Sequence, residues 1–100
     1  SYGISQTQTQ AMVHHTIYGL DLQAAIDAPR ARLWDGRRVD MEGRVEADVM
    51  DQLRARGHDI QAIAPFSMSC GGMQAIALDP ASGALTGAAD SRRDGAAMAV

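Results

Sequence analysis

The sequence predicts a mixed α/β (α+β) fold with three helices and at least four short strands. Two observations predict it. In two segments apolar residues recur at spacings of three and four, which is the periodicity of a helix. Elsewhere short apolar or alternating runs are bounded by glycine, proline or aspartate, as strands usually are. We find no internal repeat and no low-complexity linker among the 100 residues.

The first helix is expected from about Thr9, because apolar residues follow at helical spacing up to Leu20. Gly19 can adopt the positive φ that often ends a helix. The preceding stretch, in which Gln6, Gln8 and Gln10 alternate with threonines, fits either an extended entry or the start of this helix.

A second, short helix is expected directly after the first. Asp21 stands at the N-cap position, where its carboxylate can accept a hydrogen bond from a free backbone N–H. Pro29 ends the helix, because proline disfavours helical geometry in the residue before it.

The rest of the chain predicts strands around one further helix. Asp35-Gly36 is a turn signal, and the strand after it, residues 38–42, alternates polar and apolar residues as a half-buried strand does. A helix from Val45 to about Arg56 follows, with Gly57 as its cap. We then expect a strand at residues 60–63 and a hairpin of residues 73–78 and 84–88 around an Asp-Pro-containing turn.

Charge and hydropathy exclude some classes of partner. A net charge of −3 argues against nucleic acid, because phosphate binding needs clustered positive charge. The local basic stretch of Arg30, Arg32, Arg37 and Arg38 is interpreted as a solvated or ion-paired surface. No apolar run reaches the roughly 20 residues that a membrane-spanning helix needs. The compartment stays open between periplasm and cytoplasm.

Few residues carry the pattern of a metal or nucleophile site. His14 and His15 are adjacent and so point about 100° apart on a helix, and His58 is distant, so no metal site is predicted. Cys70, before Gly71 and Gly72, could act as a thiol nucleophile, but the favoured interpretation is a small buried residue in a loop entering a strand. Ser1 could act only if its amine were free to serve as the base.

Several segments together resemble one known family. The first runs from Leu22 to Arg30 and reads LQAAIDAPR; it resembles the helix-to-proline segment in the small subunit of γ-glutamyltranspeptidases. The segment from Gly87 to Ala97, GAADSRRDGAA, is similar to their C-terminal signature. LRARGH at residues 53–58 and GGMQAI at residues 71–76 fit the order of elements between them. The resemblance covers essentially the whole chain.

The resemblance implies an N-terminal nucleophile hydrolase fold, an αββα sandwich of which residues 1–100 would be the C-terminal, incomplete part of the small-subunit domain. Such an enzyme cleaves itself, and the new N-terminal threonine attacks a γ-glutamyl amide such as glutathione and passes the acyl group to water or an amino acid. No cofactor or metal is implied. The nucleophilic threonine would lie upstream, since Thr16 and Thr86 have the wrong neighbours, so this chain alone would be inactive. Its partner would be the remainder of the precursor.

The only candidate catalytic groups in this chain follow from the same resemblance. Matching the glutamine-rich stretch places Tyr2 and Gly3 at the family's Gly-Gly pair, whose backbone N–H groups stabilise the oxyanion; Gly3 fits the pair and Tyr2 departs from it. Asp90, Arg92, Arg93 and Asp94 are interpreted as structural residues that hold the C-terminal segment to the core, with a direct substrate role as the alternative. The competing functions are a stand-alone, non-catalytic interaction module and a related acylase, such as a cephalosporin acylase.

Overall fold

A computed structural model describes residues 2–98. These residues form three α-helices, one short 3-10 helix and five strands. The helices are α1 (Tyr2–Thr16), α2 (Leu22–Asp27) and α3 (Ala47–Ala55), and the 3-10 turn is Met68–Cys70. The strands are β1 (Ala31–Leu33), β2 (Arg38–Glu42), β3 (Asp59–Ile63), β4 (Gln74–Leu78) and β5 (Leu85–Ala89).

The first sheet has three strands in the order β1-β2-β3. β2 is antiparallel to β1 and parallel to β3, and α3 forms the crossover between the parallel pair. β2, α3 and β3 are confirmed where the sequence predicted them. β1 was missed, because Ala31-Arg32-Leu33 is only three residues long, too short for its apolar and polar alternation to indicate a strand. It is a strand only because β2 pairs with it.

α1 is longer than predicted. It begins at Tyr2, earlier than the start expected from apolar periodicity near Thr9, and includes the preceding stretch that the sequence left open. The reason is tertiary: the amide side chains of Gln6 and Gln10, one helical turn apart, bond the free edge of β1. Gln10 accepts from the N–H of Ala31 at 2.9 Å and donates to its carbonyl at 2.7 Å, and Gln6 bonds both backbone groups of Leu33 in the same way. Gln6 and Gln10 therefore occupy one face of a helix, and of the two interpretations of the glutamine-rich stretch the helix start is confirmed.

The predicted cap of α2 and the predicted hairpin are confirmed. The Asp21 carboxylate accepts from the N–H of Ala24 at 2.8 Å and caps α2. β4 and β5 form the expected antiparallel hairpin, and the turn between them is closed by the Asp79 carboxylate, which accepts from the N–H of Ala81. Gly83 has a φ of +75° in that turn, a conformation that glycine adopts at little cost.

Two small apolar clusters form the core. One lies between α3 and the three-stranded sheet and contains Val39, Met41, Met50 and Ile60. The other joins the helices α1 and α2 to the hairpin through Ala11, Ile26 and Ala88. Between these clusters the interior is charged, because Arg30, Glu42, Asp90 and Arg92 are all buried.

β2 departs from the half-buried pattern that was predicted. From Val39 to Glu42 every residue is buried, on both faces of the strand. Asp40 accepts a hydrogen bond from the indole N–H of Trp34 at 2.8 Å and pairs with Arg38. The polar side chain of Asp40 on β2 therefore faces partners within the protein. The alternation of polar and apolar residues in the sequence does not reveal this.

Candidate functional site

A buried network of two arginines and two carboxylates joins three separate segments of the chain. Glu42, at the end of β2, receives two hydrogen bonds from the guanidinium of Arg92, each 2.6 Å long. Arg92 also donates to Asp90 Oδ1 at 2.9 Å, and Arg30, just before β1, donates to Asp90 Oδ2 at 2.8 Å. The side chains of all four are at most 2% exposed. Two positive and two negative charges therefore balance inside the protein.

Backbone groups complete the coordination of the network. Glu42 accepts from the N–H of Arg30 at 3.0 Å and from that of Ser67 at 2.8 Å, while Asp90 accepts from the N–H of Met73 at 3.0 Å. Both arginines donate to the carbonyl of Ile26, at the end of α2. A buried ion pair is tolerated only when its remaining hydrogen-bonding groups are satisfied, and here they are. The network thereby fixes the C-terminal segment. It also fixes the connection from β3 to β4 on both sides of the 3-10 helix, at Ser67 and at Met73.

The environment favours the charged forms of Glu42, Asp90 and Arg92. Burial alone would raise the pKa of Glu42, but the Arg92 guanidinium and the backbone N–H groups of Ser67 and Arg30 outweigh burial and lower the pKa below its usual range. Burial likewise opposes the charge of Asp90, whose pKa is nevertheless lowered by the Arg92 backbone N–H and the two arginine side chains. For Arg92, burial is outweighed by Glu42 and Asp90, which raise its pKa.

The network includes predicted and unpredicted residues. Asp90 and Arg92 hold the C-terminal segment against the core, as expected. Arg93 and Asp94, expected to act with them, are exposed, and Arg93 donates instead to the carbonyl of Met68 at 3.1 Å. The interpretation of the basic stretch as a surface was wrong for Arg30, which is 2% exposed. Glu42 was not singled out, because a carboxylate at the end of an alternating strand usually faces water.

A cavity of about 370 Å³ opens beside the network, between the first half of α1 and the loop before β4. Gly3 and Thr7 line its helical wall, Gly71 and Gly72 line the opposite wall, and Arg32 and Arg93 supply its charged side chains. Gly71 has a φ of +81°, and a Cβ there would lie 2.7 Å from Thr7 Oγ1. The close approach of α1 to this loop, which the hydrogen bond from Thr7 Oγ1 to the Cys70 carbonyl maintains, therefore requires glycine.

The candidate oxyanion donors, Tyr2 and Gly3, lie in the first turn of α1. The first N–H groups of a helix have no acceptor within the helix, so they are available to a bound group. Gly3 lines the cavity, and a Cβ built on it would lie 3.4 Å from Cζ of Arg32. Their catalytic role stays a prediction. Ser1, the alternative nucleophile, lies outside the described residues.

Cys70 is a packed interior residue. It is 2% exposed, and its thiol lies 3.8 Å from the carbonyl oxygen of Arg30. Burial raises the pKa of the thiol, and the charge of Glu42 raises it further, against the effect of the arginines. Because the thiolate is the reactive form, this environment disfavours nucleophilic chemistry at Cys70.

The histidines have local partners. His15 Nδ1 lies 2.7 Å from the Leu20 carbonyl oxygen, His14 contacts the ring of Tyr18, and His58 is exposed just before β3. Across residues 2–98, no three or more His, Cys, Asp or Glu side chains are grouped so that they could hold a metal ion. Every helix in the same range is too short or too polar to span a lipid bilayer.

Comparison with known structures assigns the fold. The crystal structure of cephalosporin acylase from Bacillus halodurans superimposes with a TM-score of 0.81 and 35% sequence identity, over 88% of this chain and 16% of that one. The αβ arrangement described above is thus part of an N-terminal nucleophile hydrolase fold.

The sequence comparisons assign the family. A sequence model described as gamma-glutamyltranspeptidase matches residues 1–100, and the chain belongs to that family. Among curated relatives, it is 38% identical to the oxamate amidohydrolase proenzyme of Klebsiella pneumoniae over 95% of this chain. It is 33% identical to the glutathione hydrolase proenzyme of Bacillus subtilis over 91% of this chain. The matched region spans 19% and 15% of those two relatives, respectively.

Proposed function

We propose that residues 1–100 are the C-terminal part of the small subunit of a γ-glutamyltranspeptidase-like enzyme. The enzyme cleaves γ-glutamyl amides, such as glutathione, and transfers the γ-glutamyl group to water or to an amino acid. The observation that carries the proposal is the family match along the whole chain. Its relatives are proenzymes of which this region is a small part, and one of them is a glutathione hydrolase.

In this proposal the chemistry is shared between two parts of the protein. A threonine outside this chain, with its own α-amine as base, attacks the amide carbonyl and forms an acyl-enzyme that water or an acceptor amine resolves. This chain supplies the backbone N–H groups of Tyr2 and Gly3 to the oxyanion. The bonds from Gln6 and Gln10 to β1, and from Thr7 to the Cys70 carbonyl, hold α1 in position for that role.

One face of the β4–β5 hairpin exposes apolar side chains, and these support the proposal that the remainder of the precursor is a partner of this chain. Ile76, Leu78 and Leu85 are between 62% and 73% exposed on neighbouring positions of β4 and β5. A contiguous apolar surface of this kind is typical of an interaction site. We propose that the remainder of the precursor covers it and extends the two-stranded sheet.

The first test is the intact mass of the protein purified from its full-length gene. A large chain together with a second chain that begins with threonine and contains residues 1–100 would support self-cleavage. A single unprocessed species would favour the stand-alone interaction module and would contradict the proposal.

The second test separates the proposed activity from that of a related acylase. The processed protein is assayed with a γ-glutamyl anilide and with a glutaryl amide, which lacks the α-amine. Preference for the γ-glutamyl donor supports the proposal, and preference for the glutaryl amide supports the acylase, which the similarity to a cephalosporin acylase favours. Replacing the newly exposed threonine by alanine must abolish either activity, and Cys70→Ala serves as the control that retains it.

A further inference from the structure

The cavity between α1 and the loop before β4 has an uncompensated positive charge. Its only charged lining side chains, among the described residues, are Arg32 and Arg93. Neither has a carboxylate within ion-pair distance in the described part of the chain, whereas Arg30, Arg38, Arg44, Arg54 and Arg92 all do. Two unpaired guanidinium groups on one cavity favour an anionic occupant.

Both guanidinium groups are held in place by the short 3-10 segment. Arg32 Nη1 donates to the Ser69 carbonyl at 2.9 Å, and Arg93 Nη2 donates to the Met68 carbonyl at 3.1 Å. The guanidinium of Arg32 also lies 4.1 Å from the ring centre of Trp34. These neutral contacts fix the positions of the two groups and leave their charge unbalanced. Groups held in advance in this way lose little freedom on binding.

The hydrogen-bonding capacity of Arg32 is also incomplete. Its Nε is buried and has no hydrogen-bond partner among the described residues. Most buried polar groups have a partner, so a donor without one indicates a missing acceptor. A guanidinium presents its N–H groups as a planar fork that matches the two oxygens of a carboxylate.

The glycine wall of the cavity makes room for this arrangement. A Cβ on Gly72 would lie 2.5 Å from Cγ of Arg93. Glycine at this position therefore lets the Arg93 side chain lie along the backbone at the edge of the cavity. A cavity of about 370 Å³ is at the lower end of the range for ligand pockets, so it suits a small acid.

We propose that this cavity is a carboxylate subsite in which Arg32 and Arg93 bind an acid group of a small substrate. Gly3, the candidate oxyanion donor, lines the same cavity, so a carboxylate bound here lies beside the proposed reaction centre. The assignment of the acid to a substrate rests on the proposed function. The acid belongs either to the acyl donor or to the acyl acceptor, and the two sources are separated by the experiment below.

The first measurement is binding, and it requires no activity. Calorimetric titration of the protein purified from its full-length gene uses glycylglycine and succinate as probes, with succinamide as the uncharged reference. Loss of charge-assisted hydrogen bonds in the double variant Arg32→Gln, Arg93→Gln is expected to weaken carboxylate binding roughly ten- to hundredfold. The double variant Arg37→Gln, Arg56→Gln removes the same charge from two exposed sites outside the cavity and should leave affinity unchanged.

The second measurement identifies the source of the acid. If the acceptor supplies it, the double variant raises the KM for glycylglycine but not for glycinamide, and donor hydrolysis is unchanged. If the donor supplies it, the KM for the γ-glutamyl anilide rises in hydrolysis. Single Arg32→Lys and Arg93→Lys variants, which retain charge without the fork, should recover part of the affinity.

Two results would distinguish a failure of the carboxylate subsite from a failure of the proposed function. Carboxylate binding that is equal in the native protein and the double variant overturns the subsite. Arginine-dependent carboxylate binding in a protein without any amidase activity would retain the subsite while rejecting the proposed function.

Discussion

Arg92 and Glu42 lie 50 residues apart in the chain and form a two-pronged, fully buried ion pair, with both hydrogen bonds 2.6 Å long. The pair attaches the segment after β5 to the end of the central strand β2. Asp90 and Arg30 extend it toward the end of α2 and the start of β4. One charged cluster thereby fixes the position of the loop that lines the candidate site.

Glu42→Gln should strongly destabilise the region around the network, because it leaves the Arg92 charge buried with only Asp90 as its counter-ion. Breaking a buried ion pair from one side costs about 3–5 kcal/mol. The measurement is the free energy of local opening from hydrogen exchange at the Ser67 and Met73 amides. Asp51→Asn, in an exposed pair with Arg54, is the control and should cost under about 1 kcal/mol. An equal cost for both variants would contradict the assigned role.

Acid should loosen the same region. The pKa values of Glu42 and Asp90 are lowered in the folded protein, so their stabilisation is complete above their ordinary values of 4.5 and 3.8. It is lost as the pH falls below those values and through the lowered pKa values, because the unfolded state then binds more protons. Hydrogen exchange of the Ser67 amide between pH 6 and about pH 3 measures this, after correction for intrinsic rates. In Glu42→Gln the pH dependence should be smaller, and an unchanged slope would exclude Glu42 as its source.

Gly71→Ala should destabilise the wall of the cavity for two reasons. The backbone of Gly71, with φ +81° and ψ −173°, lies in a region essentially restricted to glycine, which costs roughly 1–3 kcal/mol for another residue. The new Cβ would also lie 2.7 Å from Thr7 Oγ1. Gly83→Ala is the matched control, since its φ is +75° but nothing lies within 4 Å of the added Cβ. We expect a larger fall in thermal stability for Gly71→Ala. Equal falls would mean that α1 moves away from the loop without cost.

Cys70 should behave as a structural thiol. Because burial raises its pKa and only 2% of the residue is exposed, iodoacetamide should modify it slowly in the native protein and rapidly in denaturant. Mass spectrometry of the protein follows the reaction, and free cysteine provides the reference rate. Rapid modification of the native protein that also abolished activity would reinstate the thiol as a nucleophile.

Gly3→Pro tests the proposed oxyanion donor. Proline removes the backbone N–H but is compatible with the first turn of a helix, so the fold should survive. Loss of one oxyanion donor lowers kcat by about 10²–10³-fold. Gly3→Ala keeps the N–H, and its Cβ would meet Arg32 Cζ at an ordinary 3.4 Å, so it should retain most of the activity. If both variants lose activity equally, the effect is steric and the donor assignment fails.

The sequence alone determined the local elements and the family. The Asp21 cap, the Asp79 turn and the glycines with positive φ depend on neighbours in the chain, so their patterns predicted α2 and the hairpin correctly. The ordered motifs from residue 22 to residue 97 were sufficient to indicate the family.

The tertiary structure decided the features that depend on distant partners. β1 is a strand because β2 pairs with it, and the glutamines of α1 are helical because their side chains bond that strand. The sequence suggested a surface position for Arg30 and did not single out Glu42. A charged residue is normally buried only when its counter-ion is buried with it. Those counter-ions lie 50 and 60 residues away, and only the fold brings them together.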